Sequence, residues 1–144
     1  MKILMKPINA DLNSVKLINL PFDIAENGQL TVLESQADIP FLISRTFVVM
    51  SNFGLIRGKH AHKLCTQFLF CPYGKVEVFC DDGIKNNIFT LDKPNIGLLI
   101  PNGIWAEQTY LKDNSVLVVL CNRPYENKDY IRDYSDFKKY RSVF

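Results

Sequence analysis

The chain is cut at short intervals by turn-forming residues, and this spacing limits its possible folds more than any other feature. Asn52-Phe53-Gly54, Pro72-Tyr73-Gly74, Asp81-Asp82-Gly83, Asp92-Lys93-Pro94-Asn95 and Lys112-Asp113-Asn114 alternate with runs rich in β-branched and aromatic residues. Those runs are Phe41 to Met50, Gln67 to Cys71, Lys75 to Cys80, Asn86 to Leu91, Gly97 to Ile100 and Ser115 to Cys121. Turns about every 8–12 residues predict an all-β sandwich or barrel and leave no room for a helix-turn-helix or βαβ unit. Asp82-Gly83 marks a hairpin, because glycine tolerates the positive φ that a primed turn requires. Only Asp133 to Arg141 is predicted to be helical. No repeat, low-complexity tract or linker divides the 144 residues, so 1–144 is expected to be a single domain. A domain of that size buries roughly 68–70% of its unfolded surface and needs neither a structural metal nor disulfides.

Charge and cysteine usage narrow the partners. Seventeen basic side chains against 15 acidic ones, with no long basic block, argue against binding to nucleic acid. Cys65, Cys71, Cys80 and Cys121 lack C-x-x-C spacing and lie in or beside apolar stretches, as expected of buried thiols in a reducing compartment. The apolar run near Met1 is too short for a signal peptide, and no later stretch approaches the ~20 residues that span a bilayer. A cytoplasmic location without membrane contact is the expectation.

The only two histidines are His60 and His62. Residues two apart on a strand share a face, so the imidazoles project together as a compact acid/base or metal-binding unit. The plainer alternative, an edge strand with two incidental histidines, is weakened by the flanking pattern. Outward from the pair the chain reads Gly54, five residues, His60-x-His62, four residues, Gln67, six residues, Gly74. This spacing resembles the first motif of the cupin superfamily, and Pro101-Asn102-Gly103 resembles the core of the second. The resemblance implies an all-β double-stranded β-helix, or jelly roll, with a short helical segment at its C-terminus here. At the metal-ligand positions the chain departs from the pattern, with Gln67 in place of a Glu and Ala106 in place of a His. A transition-metal site wants three or four N, O or S donors, and only two of the four positions supply one. No metal and no other cofactor is expected, which leaves the histidines proton transfer or substrate hydrogen bonding. Arg57 carries a guanidinium fork suited to phosphate, unless it is simply a surface arginine beside a turn. Arg45, on a strand in an apolar run, is expected to be paired or to face a ligand.

A longer resemblance runs from about Gln29 to Tyr140. It is carried by Glu34-Ser35 through Ile39-Pro40-Phe41, Arg57-Gly58-x-His60-Ala61-His62-Lys63, Asp81-Asp82-Gly83, Thr90-Leu91-Asp92-x-Pro94, Gly97-Leu98, Trp105-x-Glu107 and Asp129-Tyr130-Ile131-Arg132-x-Tyr134. In these segments the chain is similar to the dTDP-4-keto-6-deoxyglucose 3,4-ketoisomerases. That likeness implies a metal-independent cupin, typically a homodimer, which exchanges the C3 hydroxyl and C4 ketone of a dTDP-linked 4-keto-6-deoxyhexose through an enediol. Such enzymes supply a 3-keto sugar to a PLP-dependent aminotransferase that makes 3-amino-3,6-dideoxyhexoses for surface polysaccharides, lipopolysaccharide O-antigen among them, or for glycosylated metabolites. It further implies His62 as the base at C3, His60 as its partner at the sugar oxygens or in the shuttle to C4, and Arg57 at the pyrophosphate. Lys63, in the same motif, joins the expected substrate-binding set.

The remaining candidates keep two readings each. Gln67 bonds the substrate or satisfies a buried backbone group. Trp105 is a core aromatic or a pocket wall, and Glu107 shares its face and orients a neighbour. Tyr130, Arg132 and Tyr134 close over a nucleotide or dock the C-terminal segment. Many relatives read Trp-His-Glu where this chain has Trp105-Ala106-Glu107, and Arg-x-Tyr-Tyr where it has Arg45-Thr46-Phe47-Val48. The product is therefore either the gluco or the galacto 3-keto isomer. Two competing functions are a sugar-nucleotide 3,5-epimerase, which would set a tyrosine acid opposite its histidine, and a non-catalytic cupin that binds a sugar nucleotide.

Overall fold

The computed structural model describes residues 10–142, and strands dominate them. One five-stranded antiparallel sheet contains β1 (Lys16–Asn19), β4 (Arg45–Ser51), β6 (Gln67–Tyr73), β9 (Ile96–Ile100) and β11 (Ser115–Cys121), in the order β1-β9-β6-β11-β4. The other contains β5 (Ile56–His62), β7 (Val76–Asp81), β8 (Asn86–Leu91), β10 (Trp105–Tyr110) and β12 (Tyr130–Ile131), in the order β12-β5-β10-β7-β8. β2 (Phe22–Ala25) and β3 (Gly28–Thr31) form a separate hairpin, and α1 (Tyr134–Ser142) ends the described chain. The two large sheets pack face to face as the jelly roll that the turn spacing and the cupin-like motifs predict.

Alternation along the strands builds the core. In β7 the residues Val76, Val78 and Cys80 are buried and face Leu69, Leu98, Leu117 and Val119 of the opposite sheet. The outer face of that sheet is apolar too, and Leu20, Ile39, Phe41 and Ile43 cover Phe68, Phe70 and Leu120. Phe41 to Ser44 accordingly belongs to this cover, so β4 starts at Arg45 and not at Phe41 as the apolar run suggests. Pro72 lies inside β6, where a register shift between Val116 and Val118 of β11 accommodates a residue with no N–H to offer. The Asp82-Gly83 hairpin forms, but as a four-residue loop between Asp81 and Asn86. Gly83 takes φ +97°, and the Asp82 carboxylate accepts the N–H groups of Ile84 and Lys85, both at 2.8 Å. α1 begins one residue after the predicted start because Asp133 caps it, accepting from the Asp136 N–H at 3.0 Å.

Candidate active site

β5 carries the histidines, and a bulge decides which of its residues share their face. Ala106 lies opposite His60, Glu107 opposite Gly58 and Gln108 opposite Arg57, so β5 has one residue more than β10 across this stretch. The extra residue is housed by Gly58 and Lys59 at φ +86° and +58°. A Cβ on Gly58 would sit 2.4 Å from Gln108 Oε1 and 3.1 Å from the Ala106 carbonyl oxygen, so the position has room for glycine alone. Arg57 and His60, three apart in sequence, therefore line the same cavity of about 100 Å³, together with Gln67, Gln108 and Phe47.

The imidazoles of His60 and His62 meet edge to face with centroids 4.9 Å apart, as their i, i+2 spacing predicts. His62 is 5% exposed, and its Nδ1 lies 2.8 Å from Oδ2 of Asp129, which is equally buried. A carboxylate only accepts, so the proton sits on Nδ1 and Nε2 retains its lone pair. That Nε2 is buried and has no hydrogen-bond partner among the described residues. The other Asp129 oxygen accepts the Leu64 N–H, which fixes the carboxylate from behind. Burial lowers the pKa of His62 and outweighs the pull of Asp129 in the other direction. His60 falls to about 4, first because it is buried and then because His62 lies beside it, while a hydrogen bond to the Gly58 backbone opposes the shift. Both rings are neutral near pH 7. Asp129 is the functional residue that sequence reasoning missed. It stands in the Asp129-Tyr130-Ile131-Arg132 motif, and its acidic side chain beside a strand ending on the partner of β5 was the available signal.

Tyr130 pairs with His62 across β12 and β5, and its ring lies 4.4 Å from His62 and 5.1 Å from His60. Arg132 stacks its guanidinium 4.1 Å from the centre of that ring. Across the barrel a row of paired residues runs through Ile100, Gln67, Cys121 and Arg45 on four adjacent strands. Arg45 Nη2 and Gln67 Nε2 both donate to Cys121 Sγ at 3.5 Å, and Arg45 also flanks the Tyr125 ring. Burial opposes the charge of Arg45, yet its bonds to Cys121 and Tyr130 leave its pKa raised. Its Nε is buried without a partner among the described residues. The Cys121 pKa is lowered chiefly by a hydrogen bond from Cys65, whose own thiol is pushed up by the same contact. All four cysteines are free and buried, as expected.

Two expected substrate-binding residues lie elsewhere. Trp105 and Glu107 point to the opposite face of β10 from Ala106 and Gln108, because neighbours on a strand alternate. Trp105 packs against Phe137 and Tyr134 of α1 and donates its indole N–H to Glu107 at 2.8 Å. Tyr134 likewise docks the C-terminal helix, bonding Asp81 through its hydroxyl. Lys63 and Arg132 are exposed and share an open groove of about 440 Å³ with Tyr130, Lys139 and Tyr140. The four cupin ligand positions do converge, at a cavity of about 10 Å³, but as two imidazoles, the Gln67 amide and the Ala106 methyl, a set that does not fit a divalent ion.

Residues 13–142 match the family model described as FdtA: WxcM-like, C-terminal. The chain is 38% identical over 126 residues to the TDP-4-oxo-6-deoxy-alpha-D-glucose-3,4-oxoisomerase of Aneurinibacillus thermoaerophilus, covering 87% of this chain and 91% of the relative. Among solved structures, the sugar 3,4-ketoisomerase QdtA from Thermoanaerobacterium thermosaccharolyticum in complex with TDP superposes with a TM-score of 0.87 at 32% identity, covering 92% of this chain and 97% of QdtA. A 3,4-ketoisomerase from Helicobacter canadensis gives a TM-score of 0.85 at 32% identity, with coverages of 89% and 97%. With an imidazole held by a carboxylate inside a jelly roll and a family match over nearly its whole length, the chain belongs to the FdtA, WxcM-like family of sugar 3,4-ketoisomerases.

Proposed function

We propose that this protein is a sugar-nucleotide 3,4-ketoisomerase that converts dTDP-4-keto-6-deoxyglucose to a dTDP-3-keto-6-deoxyhexose. The observation that carries the reading is the unpartnered, buried Nε2 of His62, backed by the Nδ1 bond to Asp129. A neutral imidazole held in this tautomer by a carboxylate is a general base. Its Nε2 takes the proton from C3, and the C3–H electron pair becomes the C3=C4 bond of an enediolate as the C4 carbonyl π pair moves onto O4. Burial keeps the His60 ring neutral, so one of its nitrogens is an acceptor for the 3-hydroxyl proton. When that proton leaves and is delivered to O4 to complete the C4 hydroxyl, the C3 ketone forms and C4 takes up a proton from protonated His62 after exchange with solvent, so two protons leave, two return, and no external oxidant is needed. Arg45, with its free Nε, and Gln67 supply donors on the wall opposite the pair. Arg57, in the cavity with His60, and Lys63 and Arg132, in the adjoining groove, are cations for the diphosphate.

The 3,5-epimerase alternative fares less well. The strand facing the histidines carries Phe47 at the cavity, and the tyrosine nearest the pair, Tyr130, comes from the histidines' own sheet. Incubation with dTDP-4-keto-6-deoxyglucose in deuterated water separates the readings. Isomerisation loses the C3 proton and labels C4, epimerisation labels C5, and a non-catalytic binder gives no label. The product feeds an aminotransferase in 3-amino-3,6-dideoxyhexose synthesis for surface glycans, lipopolysaccharide O-antigen among them, and the enzyme works in the cytoplasm as a homodimer. Support for a second copy comes from the edge strand β4, where Val48 and Met50 are 58% and 68% exposed.

A further inference from the structure

The buried thiol of Cys65, which the isomerisation does not use, stands beside the His62–Asp129 pair. His62, Cys65 and Asp129 are all buried, and one donor atom from each lies within 4.8 Å of the others. The three residues bring an imidazole nitrogen, a thiol sulfur and a carboxylate oxygen, the donor classes that zinc and cobalt prefer. Donors around a tetrahedral ion with bonds of about 2.0–2.3 Å stand roughly 3.3–3.8 Å apart, so the cluster needs only a small contraction to close on one. This set differs from the cupin ligand positions, of which it shares His62 alone.

We propose that His62, Cys65 and Asp129 form a soft-metal site that captures a divalent ion such as Zn²⁺ or Co²⁺ in competition with catalysis. Binding replaces the Cys65 thiol proton, released to solvent, with a metal–sulfur bond, and it draws His62 and Asp129 into the coordination shell. The ion thereby takes the imidazole that the isomerisation needs as its base. That inhibitory consequence rests on the ketoisomerase reading, whereas binding itself does not.

The test is titration of the purified full-length protein with Co²⁺ alone, monitored by absorption. One equivalent should bind and produce a thiolate-to-cobalt charge-transfer band in the near ultraviolet. Cys65→Ser should abolish the band and weaken binding at least tenfold, and Asp129→Asn should weaken binding while leaving some of the band. Cys65→Ala is the second variant if the serine protein fails to fold. Binding without a thiolate band, binding unchanged in both Cys65 variants, or no binding by the wild type would each overturn the proposal. Because the readout is the metal's own spectrum, a protein that is inactive in its metal-free form and yet binds cobalt through Cys65 would sink the ketoisomerase reading and leave this site standing.

Discussion

β5, β10 and β12 present two faces that differ at every alternate residue. The inner face carries His60, His62, Tyr130, Ala106 and Gln108, and the outer face carries Ala61, Ile131 and Trp105 packed beneath Phe137 of α1. Inside, polar groups are buried with unused hydrogen-bonding capacity, as at His62 Nε2. Outside, the one buried polar group, the Trp105 indole, has its partner in Glu107. A strand two residues wide in function thus separates chemistry from stability by a single step along the chain. Changes on the inner face should reach turnover and spare folding, and changes on the outer face should do the reverse.

The sharpest break of that symmetry is His62→Asn. Loss of the base should cut C3 proton exchange by about a thousandfold, within the range for general base catalysis. Calorimetry should show a melting temperature close to that of the parent, and exchange near the parent rate would remove His62 from the base role. On the other face, Phe137→Ala empties a fully buried position and should cost about 3–5 kcal/mol of stability in a urea titration. Exchange per folded molecule should hold, and a collapse of turnover would show that the faces are coupled.

Asp129→Asn tests the support behind the base. The amide keeps an acceptor for the Leu64 N–H but no longer enforces the His62 tautomer, so kcat should fall by about a hundredfold with KM little changed. A larger effect on KM would place Asp129 in binding instead. Acid sensitivity belongs to the inner face as well. His60 titrates at about 4 in the folded protein, and His62 also below its ordinary value, against 6.5 for an unperturbed imidazole. Between these limits the unfolded chain binds more protons, so stability is fully present above pH 6.5 and declines as pH falls toward 4. Urea midpoints at pH 7.5 and pH 5 measure this, and a midpoint independent of pH would mean that the histidines are not buried in neutral form. The smallest expected effect is Trp105→Phe, which removes the bond to Glu107 at a cost of about 1 kcal/mol and leaves exchange intact. A marked rise in KM would restore Trp105 to the substrate-binding set.

Local rules carried the sequence reading as far as local rules act. The turn residues between β6 and β9 and the i, i+2 pairing of His60 with His62 depend on neighbours in the chain, and both were legible. β1, β2 and β3 were not, because each is four residues long and mostly exposed, with no buried face to impose alternation. Asp129 escaped notice for another reason. It lies 67 residues from His62 and at the end of a 3₁₀ turn, Asn127–Asp129, so the alternation that aims Tyr130 inward does not predict its direction. Trp105 and Glu107 were legible as a pair on one face, but the face opposite the histidines is set by the register of β10 against β5.

The bulge at Gly58 and Lys59 works as a ruler. It sets how far along the cavity a cation, Arg57, stands from the paired imidazoles of His60 and His62. A substrate that engages both must span that interval between its charged group and its reacting carbon. Recognition of molecular length here is written in backbone, and deleting Lys59 would turn Arg57 to the outside without altering any side chain of the site.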